Sequence, residues 1–322
     1  MEFLNKLKLA KFKFVIRAEQ PLWLPSYKGS TFRGAFGSTF RRIVCVMRDQ
    51  ECDTCMLREN CAYYYVFESP NPMTLSNFTD PKIPHPFILE PPLERELYFP
   101  VGAELDFHLI LVGKAIDYLP YFIHTFDELG RRGGIGRGRR YGQGRFKLTQ
   151  VFDAADGGQS IYDGETKMLS SNFSVISEKE LIPKKEDTAD ELKLKFITPV
   201  RIKKQGRFFM KDRKQPLELQ LLIENLYRRI YCLVFFHCES LTSTFEYPQI
   251  AGVGIKDSKL RWQDWERYSN RQQTRMMLGG FVGHACYDGA FQPWLTLIRA
   301  GEFLHVGKGT AFGLGKYGMW DR

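Results

Sequence analysis

No apolar run in this chain is long enough to cross a bilayer as a helix. The first nineteen residues, MEFLNKLKLAKFKFVIRAE, have neither a continuous apolar core nor a cleavage site. Lysine alternates with apolar residues there, which is the pattern of a strand rather than of an export signal. The expected location is therefore the cytoplasm, with no membrane partner. Histidine is scarce, with six in 322 residues, and cysteine is limited to seven. In a reducing compartment those cysteines read as thiols or metal ligands rather than disulfides. Carboxylates are missing from one stretch where they would be expected. Residues 131–145, RRGGIGRGRRYGQGR, hold six arginines and six glycines and no acid.

What is present in excess is positive charge. The net charge is +9 and the pI about 9.1, which favours an anionic partner. The charge is clustered, in residues 131–145 and again in 201–214, RIKKQGRFFMKDRK, where seven basic residues face Asp212 alone. A third basic stretch closes the chain. Residues 301–318, GEFLHVGKGTAFGLGKYG, carry six glycines, Lys308, Lys316 and His305. Glycine at this density allows positive φ and close approach of backbone to a ligand. Backbone N–H groups beside lysine form a natural phosphate cradle. Arg131, Arg132, Arg137, Arg139 and Arg140 in the first cluster, Lys203, Lys204 and Arg207 in the second, and Gly307, Gly309, Gly313, Gly315 and Lys316 in the third are the expected nucleic-acid contacts. Tyr141, Phe208 and Phe209 lie among them as rings able to stack unpaired bases, whereas Phe146 reads as core. The order of the glycines does not fit G-x-G-x-x-G behind a strand, which argues against a dinucleotide site.

Periodicity gives a strand over 8–18 and a helix to about residue 44, capped by Ser30 or Thr31, with Phe32, Phe36 and Phe40 as its buried stripe. Strands follow at 86–89 and 103–112. A helix begins at Asp117, and after the arginine-glycine loop a strand runs through Phe146, Leu148 and Val151. The order of strand, helix, two strands, helix and strand is that of a ferredoxin-like split βαβ unit. The second half repeats it. Strands are expected at 192–200, 259–268 and 277–287 (the last weakened by Gly279, Gly280 and Gly283), helices at 217–236 and 293–303, and a closing strand at 316–320. The expected fold is α+β, with two tandem ferredoxin-like (RRM-like) domains at 1–152 and 191–322. A linker over 153–190 carries a hairpin, a cysteine-rich insert occupies 45–67, and a glycine-rich loop lies near the C-terminus.

Cys45, Cys52, Cys55 and Cys61 are spaced C-x6-C-x2-C-x5-C, of which the C-x2-C core matches zinc knuckles. A structural zinc would staple an insert with little core of its own, and four thiolates leave it no open position for catalysis. An iron–sulfur cluster and four reduced thiols packed by Tyr63 to Phe67 are the alternative readings.

The segments PSYKGSTFRGAFG, CDTCMLRENCAYYYVFE, PHPFILEPP, RRGGIGRGRRYGQGRFKL, FITPVRIKKQGR and FLHVGKGTAFGLGKYGM resemble the CRISPR precursor-RNA processing endoribonucleases of the RAMP superfamily. The resemblance spans nearly the whole chain and is most specific in the terminal glycine motif. It implies two ferredoxin-like domains with a basic cleft and CRISPR repeat RNA as substrate. It also implies metal-independent cleavage in which the ribose 2′-hydroxyl attacks the scissile phosphorus. Products would be a 2′,3′-cyclic phosphate, or its opened form, and a 5′-hydroxyl. Other CRISPR interference proteins are the expected partners, with the chain a monomer or homodimer. Many relatives place a histidine on or near the first helix, yet residues 26–45 here contain none. Tyr27, Lys28 and Arg33 occupy that neighbourhood and become the catalytic candidates, with His305 and Lys308 as partners. A non-catalytic subunit that clamps guide RNA is the rival reading.

Overall fold

Alternation from residue 10 builds strand β1 (Leu9–Ala18), which buries Ala10, Phe12, Phe14 and Ile16 on one face and turns Lys11, Lys13 and Arg17 to the other, in the computed structural model of the chain. The structure describes residues 1–68, 83–155, 157–183, 190–211, 215–239, 241, 245–269 and 274–320, without the side chains of 140, 266–269 and 274–276. Two compact units divide it. The N-terminal unit comprises Lys8–Ile176 with Phe236–Glu239, and the C-terminal unit comprises Met1–Leu7, Ser177–Phe235 and Ser240–Arg322. No helix among the described residues is long and apolar enough to cross a membrane.

In the N-terminal unit β1 is followed by α1 (Gly29–Val44), β2 (Phe87–Glu90), β3 (Glu104–Val112), α2 (Leu119–Glu128), β4 (Phe146–Asp153) and β5 (Ser160–Asp163). The antiparallel sheet runs β2-β3-β1-β4-β5, the ferredoxin-like order with one added edge strand. Phenylalanines join helices to sheet. Phe36 of α1 stacks on Phe122 and Phe126 of α2 at 4.9 and 5.0 Å, and Phe126 meets Phe107 of β3 at 4.7 Å. Such ring pairs add about 0.5–1.5 kcal/mol each beyond area burial. The start of α1 differs from the expected cap. The helix begins at Gly29 behind Lys28, no side chain caps it, and Ser30 and Thr31 lie inside its first turn.

The C-terminal unit repeats the plan with β6 (Glu191–Val200), α3 (Leu219–His237), β7 (Val253–Gln263), β8 (Gly280–Gly289), α4 (Leu295–Leu304) and β9 (Tyr317–Met319). Its sheet order, β7-β8-β6-β9, is that of β2-β3-β1-β4. The glycines of β8 do not break the strand. A Cβ on Gly283 would stand 2.1 Å from the Lys259 carbonyl oxygen of β7, so glycine here permits the close approach of the neighbouring strand. Residues 259–268 fall in two elements, β7 and a separate ribbon strand, Glu266–Ser269, paired with Thr274–Met277. Within 153–190, β5 joins the first sheet, and a capped single turn, Glu178–Leu181, belongs to the C-terminal unit. Residues 156 and 184–189 lie outside the described part.

Candidate nucleic-acid interface

Each unit ends its second helix in the same loop. In the C-terminal unit α4 stops at Leu304, and His305 takes φ 58° and ψ 170°. The Val306 amide donates to the Gly315 carbonyl at 3.0 Å, a short 3-10 turn covers Thr310–Phe312, and Gly313 follows in the left-handed region. In the N-terminal unit α2 widens into a π-helical turn, and Gly134 takes φ 63° and ψ 174°. The Ile135 amide donates to the Gly144 carbonyl at 2.9 Å, a 3-10 turn covers Arg137–Tyr141, and left-handed Gly142 follows. Position by position, Ile135-Gly136-Arg137-Gly138 corresponds to Val306-Gly307-Lys308-Gly309. Tyr141-Gly142-Gln143-Gly144-Arg145-Phe146 corresponds to Phe312-Gly313-Leu314-Gly315-Lys316-Tyr317.

The glycines are required by close approach. A Cβ on Gly144 or Gly315 would lie 2.1 or 2.0 Å from the carbonyl oxygen of Ile135 or Val306, which ties the loop's two arms together. A Cβ on Gly136 or Gly307 would meet the carbonyl oxygen of Trp23 or Arg201 at 2.3 or 2.6 Å, where each loop leans on the segment after its unit's first strand. The apex cations, Arg137 and Lys308, are exposed.

The backbone cradle expected in the terminal loop is largely committed internally. The amides of Lys308, Phe312, Gly313, Gly315 and Lys316 donate to Arg201, Gly309 and Thr310 carbonyls, the Pro199 carbonyl and the Thr198 hydroxyl. Gly313 and Gly315 are buried, and Gly307, Gly309 and Lys316 are half-buried. Phosphate recognition therefore falls to side chains.

The catalytic candidates occupy less accessible places than the sequence suggested. Tyr27 is buried, and burial pushes its phenol far above the usual range. Lys28 is fully buried, donates to the Glu94 carbonyl and lies 5.5 Å from the Phe99 ring centroid. Burial lowers its pKa against the opposing charges of Glu94 and Glu96. Arg33 is half-buried, with its guanidinium 4.8 Å from the Phe67 ring centroid. His305 is fully buried, and its Nδ1 donates to the Leu314 carbonyl at 3.0 Å, into its own loop rather than out beside Lys308. Of the five, Lys308 alone is exposed.

The arginine cluster is not without acids, because α2 supplies them. Arg131 pairs with Glu128 at 3.4 Å and Asp127 at 3.9 Å, and Arg132 with Glu128 at 3.2 Å. Arg137, Arg139 and Arg145 form no ion pair among the described residues, and the side chain of Arg140 lies outside them. Arg139 donates to the Ser38 hydroxyl at 2.9 Å, and burial, then the like charge of Arg42, pulls its pKa down. In the second cluster Lys204 pairs with Glu218 at 3.2 Å, while Lys203 and Arg207 are exposed. Arg201 and Lys203 lie 4.7 and 5.5 Å from the Phe208 ring centroid. Phe209 is buried and unavailable for stacking, and Tyr141 is 83% exposed. Residues 212–214 of this cluster lie outside the described part.

Cys45, Cys52, Cys55 and Cys61 are free and half-exposed. Burial is the first cause raising the Cys52 thiol, and Cys45 and Cys61 are near enough to add to it. No group of three His, Cys, Asp or Glu able to hold a metal forms among the described residues.

Two features escaped the reading of the sequence. Arg229 of α3 donates from Nε to the Leu304 carbonyl at 2.9 Å, the last carbonyl before the terminal loop, and burial lowers its pKa to about 10. Trp23 and Tyr98, from segments distant in sequence, meet as exposed rings on a two-residue ribbon. The loop correspondence itself was available from aligning the two glycine stretches.

Residues 194–317 match the family model of the CRISPR-associated endoribonuclease Cas6, and residues 7–173 match a family model for an N-terminal domain. The C-terminal part of the chain is thus similar to Cas6. An uncharacterized protein of Archaeoglobus fulgidus is 26% identical over 303 residues, covering 91% of each chain. Among solved structures, a Cas6 product complex is similar over 97% of this chain and 100% of its own at 17% identity, with a TM-score of 0.53. Thermus thermophilus Cas6 covers 98% of this chain and 99% of its own at 15% identity, with a TM-score of 0.50. A partial Cas6-RT-Cas1–Cas2 complex covers 98% of this chain but 46% of its own, at 13% identity and a TM-score of 0.54. Identities this low carry the fold, the tandem ferredoxin-like Cas6 architecture.

Proposed function

We propose that this chain is a Cas6-type endoribonuclease that cuts CRISPR repeat RNA within precursor transcripts, without a catalytic metal, by in-line attack of the ribose 2′-hydroxyl on the adjacent phosphorus. The P–O5′ bond breaks, leaving a 2′,3′-cyclic phosphate and a 5′-hydroxyl. The chemistry requires a proton acceptor for the 2′-hydroxyl, a proton donor for the 5′-oxygen and cations for the phosphorane. The observation that carries the reading is the glycine loop built once in each unit with an exposed cation at its apex, Arg137 and Lys308. Lys308 is the exposed catalytic candidate, suited to neutralising the phosphorane, and Arg137, Arg139 and Arg145 supply phosphate contacts. Most of the affinity is electrostatic and falls with salt. After cleavage the product passes to other CRISPR proteins.

A specific observation favours the rival, a subunit that holds RNA without cutting it. Tyr27, Lys28 and His305 are buried, and α1 carries no histidine. One experiment decides between them. The purified chain is incubated in EDTA with its own repeat RNA, and with the same RNA carrying a 2′-deoxy sugar at the cut site. Cutting that survives EDTA and stops with the deoxy sugar supports the enzyme. Tight binding with both RNAs intact makes the chain a clamp.

A structural zinc on Cys45, Cys52, Cys55 and Cys61 is a separate proposal, and no catalytic step depends on it. Its support is the C-x2-C spacing in an insert whose turns, Cys52–Thr54 and Arg58–Asn60, bury no residue. Metal analysis returning about one equivalent supports it, and a trace ends it.

A further inference from the structure

In the N-terminal unit, Leu22–Trp23 pairs with Tyr98–Phe99, and Trp23 stands opposite Tyr98. Their ring centroids are 4.6 Å apart at 47°, and the residues are 50% and 47% exposed. The ribbon is firmly seated. Leu22 is buried, the Leu24 amide donates to the Leu97 carbonyl at 2.9 Å, and the buried Lys28 ammonium holds the Glu94 carbonyl beside the Phe99 ring. It also abuts the arginine-glycine loop, since the Trp23 carbonyl lies where only a glycine, Gly136, fits. Arg137 comes next, and Tyr141 of the same loop is 83% exposed. Two large rings left half in water on a rigid support, next to arginines with no ion pair among the described residues, match what a single strand offers. Its bases are flat and uncharged, and its phosphates need cations.

We propose that the Trp23–Tyr98 pair is a stacking platform for an unpaired base of the bound RNA, with the neighbouring phosphates on Arg137 and Arg139. This inference rests on the RNA-processing reading above. Stacking is tolerant of sequence, so the platform holds the strand rather than reading it. Charge complementarity favours RNA over a protein partner, although Leu97 and Val101 nearby are also exposed. Glu94 and Glu96 border the ribbon and bear on Lys28, and a neutral base tolerates them better than a phosphate would.

The test uses the full chain, a single-stranded oligoribonucleotide of a CRISPR repeat, and a fully paired duplex of equal length, with binding measured over a range of salt. The variants are the double substitution Trp23→Ala with Tyr98→Ala, and Trp23→Phe. Loss of one stacked base lowers single-strand affinity about tenfold. The double variant should lose this on the single strand, keep duplex affinity and keep the wild-type salt slope, while Trp23→Phe stays within about twofold of wild type. Unchanged single-strand affinity in the double variant overturns the platform and leaves the ribbon as a protein-docking edge. Equal losses on single strand and duplex also overturn it, since the rings would then be holding the loop's shape. Wild-type protein that binds neither RNA sinks the RNA reading itself, an outcome distinct from both.

Discussion

His305 should tolerate glycine better than alanine, against the usual order. Its φ of 58° and ψ of 170° lie in a region essentially reserved for glycine, and the equivalent residue of the other loop is Gly134. A side chain there costs about 1–3 kcal/mol in backbone strain. The histidine offsets this by burying its ring fully and donating from Nδ1 to the Leu314 carbonyl, a bond worth about 0.5–1.5 kcal/mol net. His305→Ala loses ring and bond but keeps the strain, for a net cost of about 2–4 kcal/mol. His305→Gly loses the same groups and releases the strain, which recovers about 1–3 kcal/mol relative to alanine. Glycine ordinarily stands about 0.5–1 kcal/mol below alanine within regular structure, so the inverted order is the signature. Urea unfolding of the three proteins, followed by a probe of the C-terminal unit, gives the ranking of midpoints. Alanine equal to or above glycine would refute the claim that strain is stored at this position. The same pair separates structure from chemistry: if His305→Gly keeps cleavage, the imidazole is a brace and not a proton carrier.

Gly144→Ala and Gly315→Ala each force a Cβ to about 2 Å from a carbonyl oxygen, and should cost about 2–4 kcal/mol by denaturation of the affected unit. Phe36→Ala removes the ring at the centre of the α1–α2 contact and should cost about 3–5 kcal/mol in the N-terminal unit, read from its melting. Glu191 is held down to about 2, first by hydrogen bonds from Lys256 and Lys193. Its lowered folded pKa means that its contribution is complete above the ordinary glutamate range and is lost as pH falls toward 2, a titration that NMR of the carboxyl carbon follows.

How much could be read from the chain depended on the range of the interaction involved. The Phe32, Phe36, Phe40 stripe and the alternation in β1 are local signals, and both elements formed where they were expected. Strand order came through because the same sequence of elements occurs twice. The burial of Lys28 was invisible, since the groups that satisfy its ammonium, the Glu94 carbonyl and the Phe99 ring, come from far along the chain. Trp23 and Tyr98 escaped for the same reason, because ribbon register is a long-range property. His305 misled through its neighbours. A histidine beside Gly-Lys-Gly suggests a ligand, but the backbone turn that makes the loop also rolls the imidazole inward.

Where the surplus positive charge resides decides which cations meet RNA. On the outer face of the N-terminal sheet each strand cation has a carboxylate. Lys11 meets Glu90 at 3.2 Å, Lys13 meets Asp106 at 2.7 Å, Arg17 meets Glu104 at 2.8 Å and Lys147 meets Glu165 at 2.5 Å. That face is close to neutral, so an RRM-like sheet offers the strand no net attraction here, and attraction passes to the loop cations. The substitutions that check this are matched in charge. Lys13→Ala should leave the slope of log affinity against log salt unchanged, because its charge is already answered. Arg137→Ala and Lys308→Ala should each reduce the slope by about 0.7 on single-stranded RNA, the release expected for one phosphate contact. Neither loop substitution removes a buried group, so midpoints of unfolding should hold within about 0.5 kcal/mol. An equal drop in slope from Lys13→Ala would place the strand on the sheet face and refute the assignment of RNA to the loops.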